Sequence, residues 1–133
     1  MKKIYHGSCH CGAVTYEASL DLSAGTFRCN CSICRKKRSW LAVAAPEDFH
    51  LTGGADNIGE YQFASRKLHH LFCKTCGISS YAWGENEKIG TFYAVSVNCL
   101  DDASPDELIE APIAFVDGLH DCYDASPEET RHL

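Results

Sequence analysis

The stretch "LFCKTCGIS", residues Leu71–Ser79, places two cysteines three positions apart and follows the second with Gly77. A C-x-x-C-G pattern is typical of a zinc knuckle, because glycine tolerates the positive φ that lets the chain curl around a metal and point backbone N–H groups at the sulfurs. A thioredoxin-like redox pair is the alternative, but such a pair opens a helix in a βαβ unit. Strand-like sequence flanks this pair on both sides, so the pattern favours zinc.

Cysteine is the unusual residue of this chain of 133 residues, which contains nine of them. A disulfide framework fits poorly, because the count is odd and the N-terminus carries no export signal. Seven of the nine lie in three tight clusters, a spacing that converges thiolates on one point and therefore favours metal binding. The nine are Cys9, Cys11, Cys29, Cys31, Cys34, Cys73, Cys76, Cys99 and Cys122.

The segment "SCHCGAV", Ser8–Val14, contains a C-x-C pair that is again followed by glycine. Together with the C-x-x-C pair it supplies four thiolates, the closed ligand set of a structural zinc. We therefore predict a structural zinc held by Cys9, Cys11, Cys73 and Cys76. His10 lies between two of these ligands, and we expect it to be exposed to solvent because the tetrahedron is already full.

A third cluster, in "FRCNCSICRKKRSW" (Phe27–Trp40), offers three cysteines without a following glycine. Three protein ligands with an open fourth position are characteristic of catalytic zinc. We predict this second zinc at Cys29, Cys31 and Cys34. Spacing alone leaves a different partition open, in which the first two of these cysteines join the C-x-x-C pair.

The main alternative to an open position is a fourth protein ligand that closes the second site. Cys99 is the first candidate, ahead of Cys122, and His69 or His70 could reach a site near the C-x-x-C pair.

Directly after the third cluster the chain turns basic, with four of its twelve Lys and Arg residues at positions 35–38. These cations can offset the charge of a zinc thiolate site and attract an anionic substrate. We expect Arg35 to bind substrate, although a solvated helix face explains the run equally well.

Hydrophobic periodicity predicts an all-β fold, mainly antiparallel, with short helical turns, in one domain covering residues 1–133. Alternating or aromatic-rich segments predict strands at Ala13–Ala18, Glu60–Phe63, Lys67–Phe72 and Thr91–Val97. Turns are expected at Leu51–Asn57 and Trp83–Gly90. Short helices are expected from a Ser32 cap to Arg38, at Ser104–Leu108 and at Ser126–Thr130.

Charge and hydropathy limit the partners. A formal charge of −6 argues against a nucleic-acid-binding surface, which is normally basic. No apolar stretch approaches the roughly 18 residues that a membrane helix needs. We therefore expect a cytoplasmic protein without a nucleic acid or membrane partner.

Three segments, "GSCHCGAVTYEA", "CNCSICRK" and "FCKTCG", resemble the glutathione-dependent formaldehyde-activating enzyme family, which also contains centromere protein V. A weaker likeness continues through "VSVNCLDD" and "FVDGLHD". The resemblance implies a zinc-bearing all-β fold of several small sheets, like that of the accessory exchange factor for Rab GTPases. The stretch "DGLHDCYDAS" (Asp117–Ser126) departs from the expected pattern, because no aromatic residue directly follows the Asp-Gly pair.

The same resemblance implies two zinc ions per chain, a structural one at Cys9, Cys11, Cys73 and Cys76 and a catalytic one at Cys29, Cys31 and Cys34. The activity it implies is condensation of formaldehyde with glutathione to S-hydroxymethylglutathione, a carbon–sulfur lyase reaction written in reverse. A related small thiol and aldehyde would need the same chemistry. The alternative is a non-catalytic, zinc-stabilised module for protein binding or metal handling, in which a fourth side chain closes the second site.

Overall fold

A computed structural model describes all residues, 1–133, and arranges ten strands in two sheets. The smaller sheet has the order β1-β2-β5 and is antiparallel throughout. Its strands are β1 Lys3–Ser8, β2 Thr15–Leu20 and β5 Phe49–Gly53. No helix of the structure combines the length and the apolar character needed to cross a membrane.

The larger sheet has seven strands in the order β10-β3-β4-β9-β8-β7-β6. Neighbours in this sheet run antiparallel except β3 and β10, which pair in parallel. Its strands are β3 Thr26–Cys29, β4 Leu41–Ala44, β6 Ile58–Tyr61, β7 Leu68–Cys73, β8 Tyr81–Asn86, β9 Gly90–Ser96 and β10 Ile113–Val116. The predicted all-β, mainly antiparallel class is therefore confirmed.

Aromatic side chains join the two sheets. The ring of Phe49 in the smaller sheet stacks on Tyr93 of the larger sheet with centroids 4.3 Å apart. Tyr16 stacks on Phe49 at 5.1 Å and donates a hydrogen bond from its buried hydroxyl to the carbonyl oxygen of Ser80. Stacked aromatic pairs contribute about 0.5–1.5 kcal/mol beyond the burial of their area. The cluster thus fixes β2 and β5 of the smaller sheet against β9 and the start of β8 in the larger sheet.

The four predicted strands are present, but two predicted turns are partly wrong. The turn predicted at Leu51–Asn57 is wrong for its first three residues, because β5 runs to Gly53. Strands β2, β6, β7 and β9 overlap the predicted segments, with shifts of one or two residues at their ends. The predicted turn over Trp83–Gly90 is wrong for its first half, because β8 runs on to Asn86. Trp83 pairs in register with His69 on β7 and Tyr93 on β9, and its indole stacks on the His69 ring at 3.8 Å. Cross-strand packing outweighs the turn-forming composition.

Two short helices flank the sheets, α1 Ser32–Lys37 and α2 Pro105–Glu110. Ser104 begins α2 as predicted, and forms a capping box with Glu107. Ser32 does not cap α1, because the N-cap residue is Cys31. The helix predicted at Ser126–Thr130 is absent. None of its side chains is buried, so no packing offsets the cost of helix nucleation.

Strand β1 is anchored at its middle to the turn after β9. The His6 backbone N–H donates to Asp102 Oδ1 at 2.9 Å, and His6 Nδ1 lies 2.8 Å from Asp102 Oδ2. The hydrogen bond to Asp102 raises the pKa of His6 above its ordinary value near 6.5, with Glu17 adding to the effect. Burial alone would raise the pKa of Asp102, but the His6 hydrogen bonds outweigh it and lower that pKa below 3.8.

These opposite pKa shifts give the pair a defined pH window. The His6 contribution to stability is present below pH 6.5 and is lost as the pH rises through the raised pKa, whereas the Asp102 contribution is present above pH 3.8 and is lost as the pH falls. We predict that Asp102→Asn lowers the pKa of His6 towards 6.5 and destabilises the protein more at pH 5.5 than at pH 9. Histidine titration by NMR and denaturant unfolding at the two pH values measure this. An unchanged His6 pKa in the variant would contradict the pairing.

Candidate functional site

The first thiol cluster joins the two sheets. Cys9 and Cys11 lie in the turn between β1 and β2, while Cys73 ends β7 and Cys76 lies in the turn before β8. Their four sulfur atoms all lie within 4.8 Å of one another. The Sγ atom of Cys11 is 3.7 Å from that of Cys9 and 3.6 Å from that of Cys73. The four cysteines that the sequence grouped are therefore adjacent in space.

The spacing of these sulfurs fits a zinc ion. Four thiolates at the ordinary Zn–S distance of about 2.3 Å occupy the corners of a tetrahedron with edges of about 3.8 Å. The separations from Cys11 Sγ to Cys9 Sγ and to Cys73 Sγ, 3.7 and 3.6 Å, lie close to that edge length. The cluster can therefore hold a metal ion with little movement of the chain.

Backbone N–H groups surround the same sulfurs. Val14 donates to Cys9 Sγ at 3.3 Å, and Thr75 donates to Cys73 Sγ at 3.4 Å. Hydrogen bonds from the backbone of Cys11 and Ile78 lower the pKa of Cys76 to about 6. Such donors stabilise the thiolate, the form in which cysteine binds a metal.

The two glycines of this cluster allow the curl of the chain. Gly12 has φ of 82° and Gly77 has φ of 79°, as the knuckle pattern predicts. A residue with a Cβ atom is strained in this left-handed region, which glycine occupies freely. Each glycine directly follows a cysteine, so the chain reverses immediately after delivering its ligand.

The second thiol cluster lies where β3 meets α1. Cys29 is the last residue of β3, Cys31 is the N-cap residue of α1, and Cys34 is the third residue of that helix. The three sulfurs lie within 4.8 Å of one another, and no fourth Cys, His, Asp or Glu ligand atom lies within that distance of all three. The structure therefore separates the seven clustered cysteines into groups of four and three, rather than joining Cys29 and Cys31 to the C-x-x-C pair.

Of the three thiols in the second cluster, that of Cys31 ionises most easily. Hydrogen bonds from the thiols of Cys29 and Cys34 lower the pKa of Cys31, and backbone N–H groups of Cys34 and Ile33 act in the same direction. The thiols that donate these bonds are harder to ionise, because the pKa values of both Cys29 and Cys34 are raised. A cation bound to all three sulfurs would reverse that bias, since metal binding displaces thiol protons.

The other candidate ligands lie outside both clusters. Cys99 ends the short turn Val97–Cys99 and burial raises its pKa, while Cys122 is exposed. His69 lies on β7 with its Nδ1 atom 2.7 Å from Glu60 Oε1, and the neighbouring His70 is buried. None of these four residues belongs to a group of converging ligand atoms. His10 is exposed, as expected.

The residues after β10 form one wall of the second cluster. Gly118 is buried, and a Cβ atom there would lie 2.5 Å from Cys29 Sγ and 3.0 Å from Cys31 Cβ. The ring of Tyr123 would lie 3.3 Å from the same Cβ position. Burial, followed by the charges of Cys29 and Cys31, raises the pKa of Tyr123. This contact leaves no space for any side chain at position 118.

Asn30 lies between Cys29 and Cys31 in the sequence, and its side chain attaches that wall to the second cluster. Its side chain is buried, donates from Nδ2 to Asp117 Oδ1 at 2.9 Å, and accepts at Oδ1 from the Leu119 N–H at 2.9 Å. Sequence reasoning missed Asn30, Asp117, Gly118 and Tyr123. The signal available was the Asn in C-N-C, because a buried amide needs partners. Nothing in the sequence indicated that those partners would come from residues 117–119.

Comparison with known proteins agrees with the two clusters. Residues 4–116 match the profile of the family described as glutathione-dependent formaldehyde-activating enzyme. The chain belongs to this family. It is also similar to a crystal structure of a Rhodobacter sphaeroides protein, with 37% sequence identity and a TM-score of 0.69. That similarity covers 82% of this chain and 99% of the bacterial one.

All seven clustered cysteines fall inside the residues that match the formaldehyde-activating family, whereas Asp117, Gly118 and Tyr123 follow the last matched residue. The wall on the second cluster is thus contributed by a part of the chain that the family match does not include.

The close approach of Gly118 to Cys29 yields a prediction for metal binding. We expect Gly118→Ala to displace Cys29 or the wall, since a 2.5 Å contact cannot be accommodated without movement. Zinc content should fall from about two to about one per chain. Gly90→Ala is the control, because its Cβ meets nothing within 4 Å although its φ of 74° makes it strained. Elemental analysis and thermal unfolding of both variants separate metal loss from general destabilisation, and two retained zinc ions in Gly118→Ala would contradict the contact.

Proposed function

We propose that this protein is a zinc-dependent enzyme that adds a small thiol to a small aldehyde and catalyses the reverse cleavage, a carbon–sulfur lyase reaction. The substrates we propose are glutathione and formaldehyde, with S-hydroxymethylglutathione as the adduct. One observation carries the proposal: the second cluster brings three sulfurs together with no fourth protein ligand. This cluster lies in a chain that belongs to the formaldehyde-activating family.

The two clusters have different roles in this proposal. Cys9, Cys11, Cys73 and Cys76 hold a structural zinc, and the fit of their sulfur spacing to a tetrahedron supports this. Cys29, Cys31 and Cys34 hold the catalytic zinc and leave one position for the substrate thiol. Zinc bound there would act as a Lewis acid and lower the pKa of the substrate thiol, so that its thiolate is present at neutral pH.

The reaction needs one new bond and one proton. The thiolate sulfur attacks the aldehyde carbon, the S–C bond forms, and the carbonyl π electrons move to oxygen, which takes up a proton. Cleavage of the adduct is the reverse. The ring of Tyr123 contacts the wall of the second cluster at Gly118, and we propose that the Tyr123 hydroxyl donates a hydrogen bond to this oxygen. Asn30 and Gly118 keep the wall and the thiols at a fixed separation.

The proposed setting follows from the same chemistry. Free thiols at nine positions persist in a reducing compartment, so we propose that the protein acts in the cytoplasm. We also propose that residues 1–133 act as one domain. A single cluster of 18 buried residues, drawn from both sheets, supports that view.

Single substitutions in the two clusters test the proposal. We expect Cys34→Ser to remain folded with about one zinc per chain and to reduce thiol–aldehyde turnover to the uncatalysed rate, because only the second cluster is broken. Cys76→Ser should lose the folded state, because a structural zinc contributes folding free energy directly. Cys122→Ser is the matched control, since this exposed cysteine lies outside both clusters.

Elemental analysis, circular dichroism and NMR exchange between free and adducted formaldehyde read out the three variants. Equal unfolding of Cys34→Ser and Cys76→Ser would overturn the catalytic assignment and favour a non-catalytic zinc module with two structural sites. Full turnover by Cys34→Ser would exclude the second cluster from the reaction.

A further inference from the structure

Lys37 connects the second cluster to the turn that follows the first. It lies three residues after Cys34 in α1, on the same helix face. Its ammonium donates to Ser79 Oγ at 3.0 Å, and the Ser79 hydroxyl in turn donates to the Leu71 carbonyl oxygen at 2.6 Å. The side chain therefore has a fixed direction, across the space between α1 and the turn after Cys76.

The charge of Lys37 has no carboxylate partner. Four other lysines form ion pairs with Asp or Glu, whereas Lys37 contacts only a neutral hydroxyl. Lys37 is exposed at the surface, yet the protein atoms around its ammonium partly desolvate it and lower its pKa, while the thiols of Cys34 and Cys31 oppose this effect. The ammonium also acts on the neighbouring strand, because burial first and the charge of Lys37 second lower the pKa of His70 on β7.

Arg35, the residue that the sequence favoured for substrate binding, is placed differently. Both residues are exposed, but Arg35 forms neither an ion pair nor a side-chain hydrogen bond, whereas Lys37 donates to Ser79. Arg35 lies one position after Cys34, and residues one apart on a helix point in different directions. Arg35 follows Cys31 by four positions and so lies near that thiol, but no hydrogen bond directs its side chain as Ser79 directs that of Lys37.

We propose that Lys37 binds a carboxylate of the thiol substrate and selects anionic thiols over neutral ones. An ammonium has three N–H donors, of which one is used by Ser79, so two remain for a carboxylate. A substrate sulfur at the second cluster and a carboxylate at Lys37 would fix the thiol at two points on one helix face. This inference rests on the proposed function and names the chemical class of its thiol.

A pair of thiols that differ only in charge tests the inference. Glutathione carries free carboxylates, and glutathione diethyl ester carries the same thiol with both carboxylates esterified. We expect Lys37→Gln to raise KM for glutathione about tenfold, the lower range for a hydrogen bond between charged groups, with kcat nearly unchanged. KM for the diester should not change. Lys36→Gln is the matched control, because this exposed lysine lies on the same helix two positions from Cys34 and forms no ion pair. It should leave KM for both thiols unchanged.

Failure of the inference is distinct from failure of the proposed function. Turnover by the wild type with an unchanged glutathione KM in Lys37→Gln, or an equal rise in KM for both thiols, would overturn the role of Lys37. Absence of turnover in the zinc-loaded wild type would overturn the proposed function instead. In that case NMR titration with glutathione compares the affinities of the wild type and Lys37→Gln. Equal affinities would overturn the contact between Lys37 and the carboxylate, and a tenfold weaker affinity of the variant would support it.

Discussion

The meeting of two turns at four sulfur atoms is the constraint on which the arrangement of both sheets depends. One turn continues from β1 of the smaller sheet and the other from β7 of the larger sheet, so a metal bound between them would connect elements more than sixty residues apart in sequence. Only 27 of the 133 residues are buried, so the apolar core alone is small. The stacked rings of Tyr16, Phe49 and Tyr93 reinforce the same junction from its apolar side.

The second cluster differs from the first in what surrounds it. Four sulfurs enclosed by backbone donors and followed by glycines form a closed set, whereas Cys29, Cys31 and Cys34 lie at a strand–helix junction with a wall on one side. Positive charge in α1 lies next to these three thiols, and one of its lysines is directed by a serine hydroxyl. Ser79 follows Cys76 by three residues, so the hydrogen bond from Lys37 to Ser79 connects the segments that carry the two groups of cysteines.

The parts of the fold and of the candidate site that the sequence predicts are those marked by a local residue pattern. The groups Cys9–Cys11 and Cys73–Cys76 were readable because the following glycines identify turns that curl around a metal, and α2 was readable because Ser104 and Glu107 are three residues apart. The strand through Trp83 was missed because glycine, asparagine and glutamate dominate its composition, although its pairing with β7 and β9 decides its conformation. The parallel pairing of β10 with β3, and with it the wall on the second cluster, depends on contacts between residues almost ninety positions apart, for which no local pattern exists.

The attachment of Asn30 to Asp117 and Leu119 also sets an order of events during synthesis. These partners leave the ribosome 87 and 89 residues after Asn30. At roughly 5–20 residues per second, that interval lasts roughly 4–18 s. Throughout it the nascent chain presents Cys29, Cys31 and Cys34 without Gly118 beside them, open to oxidation and to capture of the wrong ion. Under the proposed function, a small reduced thiol would therefore protect these cysteines during synthesis and serve as their substrate afterwards.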